Sequence, residues 1–346
     1  MALGKYGPWI ATTQSQAHEV LTDTEHFDFT SDVSRERLDR SREATAANRS
    51  PHAINDALSP ERVAAGREVF AREWAKLAPS GTFDAMQVLR GPVALSTTVA
   101  VLPEATLEQA QEIGERTLAW IDALGPVIAS RFGAGRWSPR RRKERTARLA
   151  LEAALRPLSD DPPVVATMLA AGIQVPIAAG AWLLVELASD PEVQEALRED
   201  DSLVAGVVWE TLRLCPPTWI TARVAQAATT LAGQPIDAGS VVMVSPLLLG
   251  RSVDLVPGPG LDQPSLDDFA PQRWSGDVRP GAWLPFGAGP HACPGRNLGV
   301  AQLTVVARSV RGLDLRTVKS VTVNQSRGIY PDPALISASG SSVSTE

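Results

Sequence analysis

The longest apolar run in the chain lies between Val164 and Ala188, VVATMLAAGIQVPIAAGAWLLVELA, where the only polar side chains are Thr167, Gln174 and Glu186. Its length is enough to cross a bilayer. It is solitary, however, Pro176 and Glu186 interrupt it, and no aromatic belt with a basic cluster marks one end. A helix apolar on all sides is also what the centre of a large soluble domain requires, and the segment is predicted to be that core helix. The surrounding punctuation is mostly helical. Ser59 can cap a helix with Pro60 in its first turn and good helix formers through Leu77. Leu107 to Phe132 predicts another, ended near Gly133 and Gly135. β-Branched runs broken by Gly, Pro and Asp cluster in TARVAQAATTLAGQPIDAGSVVMV, Thr221 to Val244, and predict the strands. Val253 to Gly281 is rich in Pro, Gly and Asp and reads as irregular chain, and ISASGSSVSTE, residues 336–346, reads as a disordered tail. With no internal repeat and no linker, the pattern predicts a mainly α protein with a small β component, in one domain over residues 1–346.

Composition narrows the function classes. At 346 residues and 44% hydrophobic content the chain can bury a substantial core. Its net charge of −6 argues against nucleic acid or an anionic membrane as partner. Two cysteines are too few for a disulfide framework, and no N-terminal segment has the form of a secretory leader, so a cytoplasmic location is expected. Against this acidic background stands RWSPRRRKERTAR, Arg136 to Arg148. Such a run is a solvated helix face or, more specifically, a docking patch for an acidic carrier protein or ferredoxin.

Of the two cysteines, Cys293 sits in a loop crowded with Gly and Pro, LPFGAGPHACPGRNLG, from Leu284 to Gly299. Gly287-x-Gly289-x-x-Ala292, with Asp314 downstream, fits a loose dinucleotide fingerprint, which should follow a buried strand and open a βαβ unit. Here AWLPF is short, and Pro290 and Pro294 interrupt the turn. His291 and Cys293 are zinc-ligand types, but a structural zinc wants four ligands, and His18, His26, His52 and Cys215 are scattered singly. A small buried cysteine in a turn is the plainest alternative.

The whole constellation points elsewhere. FGAGPHACPG, Phe286 to Gly295, resembles the cysteine-ligand loop of the cytochrome P-450 family, with Phe286, Gly289, Cys293 and Gly295 filling its pattern. WETLRLCPP resembles the family's Glu-x-x-Arg helix, placing Glu210 and Arg213 one turn apart. Arg223 in TARVA and Arg273 in FAPQRW follow in the family's order. The resemblance implies a single haem-thiolate domain with a P-450-like fold, and Cys293 as the axial ligand of haem b, iron protoporphyrin IX. Gly287, Gly289 and Gly295 would admit close backbone approach, and the helix starting near Gly295 would place N–H dipoles by the sulfur, favouring thiolate. His291 and Arg223 would hold haem propionates, Phe286 and Gly287 would shape the loop, and Glu210, Arg213 and Arg273 would form a buried charge cluster with a structural role. Cys215 reads as core packing. Upstream, WIATTQSQAHEVLTDTEHFDF resembles the family's early strand and helix, and LSPERVAAG the end of a helix crossing the haem edge. Arg49 and His52 differ in spacing from the family's propionate pair there, with His52 kept as a candidate. The chain begins later than family members do, and Leu102 to Val164 is short for lid helices, so a truncated N-terminus and a shortened, open lid are expected.

The sharpest departure lies in the core helix. Where the family has Ala-Gly-x, an acid and Thr, this chain has Ala171, Gly172, Ile173, Gln174 and Val175. The candidate oxygen-activation segment, Gly172, Gln174, Val175 and Pro176, thus lacks both proton-relay side chains; an amide and an alkyl group are not acids near neutral pH. Pro176 has no N–H, so the carbonyl of Gly172 loses its helical donor. A water or a substrate hydroxyl on that carbonyl is expected to replace the relay; alternatively Pro176 only kinks the helix. The resemblance implies a haem-thiolate oxidoreductase that tailors a bacterial specialised metabolite by hydroxylation, coupling, desaturation or rearrangement. Its substrate would be a small molecule, free or carrier-bound, and its electrons would come from a ferredoxin and ferredoxin reductase. The alternatives are a peroxide-using or non-oxidative haem-thiolate enzyme, and a haem-free helper of a glycosyltransferase or assembly line, against which the retained Cys293 counts.

Overall fold

The computed structural model describes residues 2, 8–29, 57–77, 80–130, 135, 137–257, 265–276, 278–325 and 328–340. The longer helices are α1 (Gln14–Thr22), α2 (Pro60–Leu77), α3 (Arg90–Val101), α4 (Leu107–Ile128), α5 (Pro139–Leu155), α6 (Pro162–Ser189), α7 (Pro191–Glu199), α8 (Leu203–Leu214) and α9 (Arg296–Ser309). The strands are β1 (Trp9–Ile10), β2 (Phe27–Asp28), β3 (Gly81–Asp84), β4 (Thr221–Ala225), β5 (Thr229–Leu231), β6 (Gln234–Ile236), β7 (Val241–Val244), β8 (Leu313–Thr317), β9 (Thr322–Asn324), β10 (Tyr330–Asp332) and β11 (Leu335–Gly340). The mainly helical architecture with a small β component is as expected, and the Thr221–Val244 stretch supplies four of the strands.

Helix starts follow the capping chemistry. α2 opens at Pro60 with the Ser59 hydroxyl accepting from the Arg62 amide at 3.4 Å. α4 opens on a capping box between Thr106 and Gln109. It runs to Ile128 with Pro126 inside its last turn, and Phe132 lies outside the described residues. The core helix α6 opens with Pro162 and Pro163 in the first turn, where no helical N–H is required, and the Asp161 carboxylate accepting from the Val164 amide. Every residue from Ile177 to Val185 is buried, with α3, α4, α5, α8 and α9 packed around the helix. α6 is long and apolar enough to span a membrane, and 61% of its most apolar stretch is buried inside the fold. A Cβ on Gly180 would lie 2.9 Å from Leu89, so glycine here lets a core leucine reach the helix backbone.

The chain forms two compact units, each assembled from separated stretches of sequence. The first draws on Met1–Ala57, Thr218–Asp268 and Val278–Pro294. Its sheet has the order β1-β7-β4-β2, antiparallel except for the β1–β7 pair, and α1 packs on β7 and on the 3-10 turn Gly289–His291. The second unit, Leu58–Pro217, Phe269–Asp277 and Gly295–Glu346, holds the helices from α2 to α9 and the sheet β3-β11-β8.

The expected tail is corrected in part. Residues 336–340 lie in β11, the central strand of that sheet, with Ile336 and Ala338 buried on one face and the intervening serines on the other. Small polar residues on the outer face conceal this alternation in ISASG. Residues 341–346 lie outside the described residues.

Candidate cofactor site

The cysteine loop is closed by its own backbone. The Leu284 amide donates to Gly281 O at 2.9 Å, Gly287 to Leu284 O at 3.0 Å, Ala292 to Gly289 O at 3.0 Å and Cys293 to Phe286 O at 2.8 Å. Gly287 and Gly289 both take φ of 69°, and Leu284 takes 56°, a strained value for a residue with a branched side chain. Gly289 is doubly constrained: a Cβ there would stand 2.8 Å from Leu21 O and 2.9 Å from Thr22 Cα of α1. The tight backbone contact of the loop is therefore the one between Gly289 and α1. The nearest atom to a Cβ on Gly287 would be 3.8 Å away, and Gly295, the residue before α9, has nothing within 4 Å. The outcome of this folding is an exposed Cys293 thiol at the end of a fixed turn.

In the same unit, strand register brings two basic side chains to one aromatic ring. Phe27 and Asp28 of β2 pair with Ala225 and Val224 of β4, so the next residue, Phe29, comes opposite Arg223. The Arg223 guanidinium lies 3.9 Å over the Phe29 ring centroid, and the His291 ring meets the same ring edge-on at 4.7 Å. Arg223 is 3% exposed. Its Nη1 donates to Thr221 Oγ1 at 3.2 Å and to Ala222 O at 3.0 Å, while its buried Nε has no hydrogen-bond partner among the described residues. Burial pulls the Arg223 pKa below its ordinary value and Asp28 opposes this. Burial, then the Arg223 charge, lowers that of His291, again against Asp28, whose carboxylate oxygen is 3.7 Å from Nε2. A buried guanidinium with an unsatisfied Nε is a seat for an external anion, because leaving such a donor unpaired is costly. Together with a presented thiol, it forms a donor set suited to a group that carries both a thiolate-binding metal and carboxylates. His52 and Arg49 lie outside the described residues.

The charge cluster assembles in the second unit. Glu210 is fully buried, and its two oxygens accept from Arg213 Nη2 at 2.7 Å and Nε at 2.8 Å, Arg273 Nε at 3.3 Å, Trp274 Nε1 at 2.7 Å and the Ala270 amide at 3.0 Å. The Arg213 contact is the bidentate fork that makes such pairs strong. Sequence reasoning missed Gly206, one turn before Glu210 on α8, where a Cβ would fall 2.3 Å from Pro271 O. Glycine there admits the Pro271–Trp274 turn, and with it Arg273 and Trp274, to the carboxylate.

Around Gly172 the structure departs from expectation. The Gly172 carbonyl, deprived of a helical donor by Pro176, accepts from the buried Thr97 hydroxyl of α3 at 3.3 Å. A side chain of this chain thus supplies one donor to that carbonyl. A Cβ on Gly172 would sit 3.1 Å from Thr97 Cγ2, so the glycine makes room for the contact. Gln302 of α9 donates from Nε2 to Ser96 Oγ at 3.0 Å and to Thr97 Oγ1 at 3.4 Å, and Ser96 donates to Gly66 O at 2.8 Å. Thr97, Ser96 and Gln302 were not singled out in the sequence. The available signal was three consecutive hydroxyl residues, Ser96-Thr97-Thr98, inside an otherwise apolar helix. Gln174 and Val175 are half-buried on the same helix as Gly172.

Two remaining candidates resolve simply. Cys215 is half-buried and its thiol donates to Glu186 Oε1 at 3.2 Å, so it is hydrogen-bonded rather than only packed. The basic run lies on α5, Arg136 itself being outside the described residues. Its acids turn inward: Glu144 accepts from Trp120 Nε1 at 2.9 Å and Glu152 from Arg148 at 2.8 Å, while Arg140, Arg142, Lys143 and Arg145 are exposed. Among the described residues no three His, Cys, Asp or Glu side chains cluster to hold a bare metal ion.

Residues 163–310 match the family model described as cytochrome P450. The chain is 32% identical over 167 residues to cyclooctat-9-en-7-ol 5-monooxygenase of Streptomyces melanosporofaciens, an alignment covering 42% of this chain and 35% of that protein. It is 30% identical over 163 residues to sterol 14alpha-demethylase of Mycolicibacterium vanbaalenii, covering 40% and 34%. The chain thus spans about a third of the length of these curated relatives. Among solved structures, the open cytochrome P450 Eryk of S. erythraea has a TM-score of 0.72 at 20% identity, covering 99% of this chain and 93% of that one. CYP175A1 from Thermus thermophillus has a TM-score of 0.74 at 19% identity, covering 95% and 88%. At these identities the structures show the fold. The matched segment, which contains Glu210, Arg213, Arg223, Arg273 and the Cys293 loop, is thus similar to the cytochrome P450 family, and nearly the whole chain shares the fold of the cytochrome P450 structures.

Proposed function

We propose that this chain is a haem-thiolate oxidoreductase that tailors a specialised metabolite, with Cys293 as the iron ligand of haem b. The observation that carries the proposal is the exposed thiol on a self-closed loop, in one unit with a buried Arg223 whose Nε lacks a partner. When bound, thiolate-ligated haem supplies oxidative chemistry. The chain's residues supply the setting. Leu284, Gly287 and Gly289 fix the turn that presents the sulfur, Arg223 and His291 offer donors to the propionates, and Glu210 with its partners locks α8 to the Pro271–Trp274 turn. Among named relatives, one is a 5-monooxygenase of cyclooctat-9-en-7-ol and another a cyclooctatin synthase, which supports a small-molecule substrate, free or carrier-bound. Electrons would come from a ferredoxin and its reductase. The test is a reduced, carbon monoxide difference spectrum of the haem-supplemented protein. A thiolate-type Soret band that disappears in Cys293→Ser is expected; its absence from the parent protein overturns the proposal.

A second reading, peroxide use or a reaction without net oxidation, is favoured by one observation. From Gly172 to Pro176 no side chain is an acid, and the Thr97 hydroxyl is engaged with the Gly172 carbonyl. Gln174 can orient a hydroxyl group through its amide but cannot release a proton near neutral pH. Turnover of one substrate with peroxide, compared with turnover under a ferredoxin system, separates the two readings.

A further inference from the structure

Phe29 ends the segment WIATTQSQAHEVLTDTEHFDF, where it has no assigned role; it is 47% exposed and touches both Arg223 and His291. The β2–β4 ladder places Phe29 opposite Arg223 as a cross-strand neighbour. Among the described residues the Arg223 guanidinium donates hydrogen bonds through Nη1 alone, and the edge formed by Nε and Nη2 makes none. In Arg213 the same edge grips the Glu210 carboxylate. The free edge of Arg223 is therefore the geometry for a second, external carboxylate.

What fixes the plane of that edge is the Phe29 face beneath it. His291 is held in the same way. Its Nε2 stands 3.7 Å from Asp28 Oδ1, beyond hydrogen-bonding distance, and its ring rests against Phe29 instead. Asp28 itself accepts from the Phe29 amide at 2.6 Å, which occupies this carboxylate oxygen locally and leaves the guanidinium edge open.

We infer that Phe29 is a positioning residue that aligns Arg223 and His291 as one carboxylate-binding pair for the haem propionates. The inference rests on the haem reading above. A cation on an aromatic face gains most when partly desolvated, and a pre-oriented donor fork loses less freedom on binding. The gain belongs to the carboxylates of the ligand and to no other part of it.

The test compares the parent protein with Phe29→Leu, which keeps apolar bulk without the aromatic face, Phe29→Tyr, which keeps the ring, and Arg223→Gln. The rate at which each haem-loaded protein loses its cofactor to an excess of a haem-scavenging protein is measured, first with haem and then with haem dimethyl ester. With haem, Phe29→Leu is expected to lose cofactor about 3- to 10-fold faster, Arg223→Gln at least as fast, and Phe29→Tyr within about twofold of the parent. With the ester, the difference between Phe29→Leu and parent should vanish. Equal retention of haem by Phe29→Leu and parent, alongside a weakened Arg223→Gln, overturns the inference and leaves the haem reading standing. An equal loss for haem and ester overturns it too, showing a general packing role. A parent protein that binds no haem overturns the haem reading and the inference with it.

Discussion

The Thr97 hydroxyl of α3 donates to the Gly172 carbonyl of α6 at 3.3 Å, the one carbonyl that Pro176 deprives of its helical partner. The defect created by the proline is thus repaired by a neighbouring helix. Thr97→Val should leave that carbonyl unsatisfied and destabilise the protein by about 1–3 kcal/mol in urea unfolding. In a Pro176→Ala background, where an amide is again available to Gly172, the same change should cost less. A double-mutant cycle that returns no coupling between positions 97 and 176 would count against this repair.

Among the described residues the Glu210 carboxylate accepts from Arg213, Arg273, Trp274 and the Ala270 amide, all inside the second unit. Removing one partner from a buried charge cluster leaves the others uncompensated. Glu210→Gln is expected to lose about 3–5 kcal/mol, measured by thermal or urea unfolding, or to fail to accumulate as soluble protein. Gly206→Ala should produce a smaller loss of about 1–3 kcal/mol by driving a methyl group into Pro271 O.

Glycines of the cysteine loop should respond differently to alanine. Gly289→Ala combines φ of 69° with a clash against Leu21 O and Thr22, and should cost well over 1 kcal/mol. Gly295→Ala meets no atom of the chain and should fall within about 0.5 kcal/mol of the parent in the protein without cofactor. Melting temperatures of the two variants side by side check the contrast.

Helix α5 begins with Pro139, Arg140, Arg141 and Arg142, and has no acid in its first turn. Cations there oppose the helix dipole, so Arg140→Glu should stabilise the protein by about 0.3–1 kcal/mol at low salt, with the gain shrinking as salt is added. An unchanged or lower melting temperature at low salt would show that Arg140 has a compensating contact.

Much of this was legible in the sequence. Ser59-Pro60 marks the start of α2 because capping is a local matter, and the apolar Val164–Ala188 run marks the core helix because its periodicity is absent on every face. Glu210 pairs with Arg213 one turn on, which the spacing alone allows, and with Arg273, which only the resemblance had grouped with them. Gly206, Thr97 and Gln302 stayed hidden because their roles depend on which backbone or hydroxyl lies across the interface, a fact of tertiary packing. Phe29 was hidden for a related reason: only the pairing of β2 with β4 puts it opposite Arg223. β11 was misread because a strand with serine on its outer face has the composition of a tail.

That strand also has a consequence for the order of assembly. In the second unit, β11 joins residue 336 to residue 83 of β3 and to residue 317 of β8, so the last described segment supplies the middle of the sheet. Until it arrives, β3 and β8 have no partner in that sheet and present open hydrogen-bonding edges, the state in which strands pair with the wrong chain. A growing chain therefore carries the open edge of β3 from residue 84 onward, and covers it only when residues 335–340 emerge.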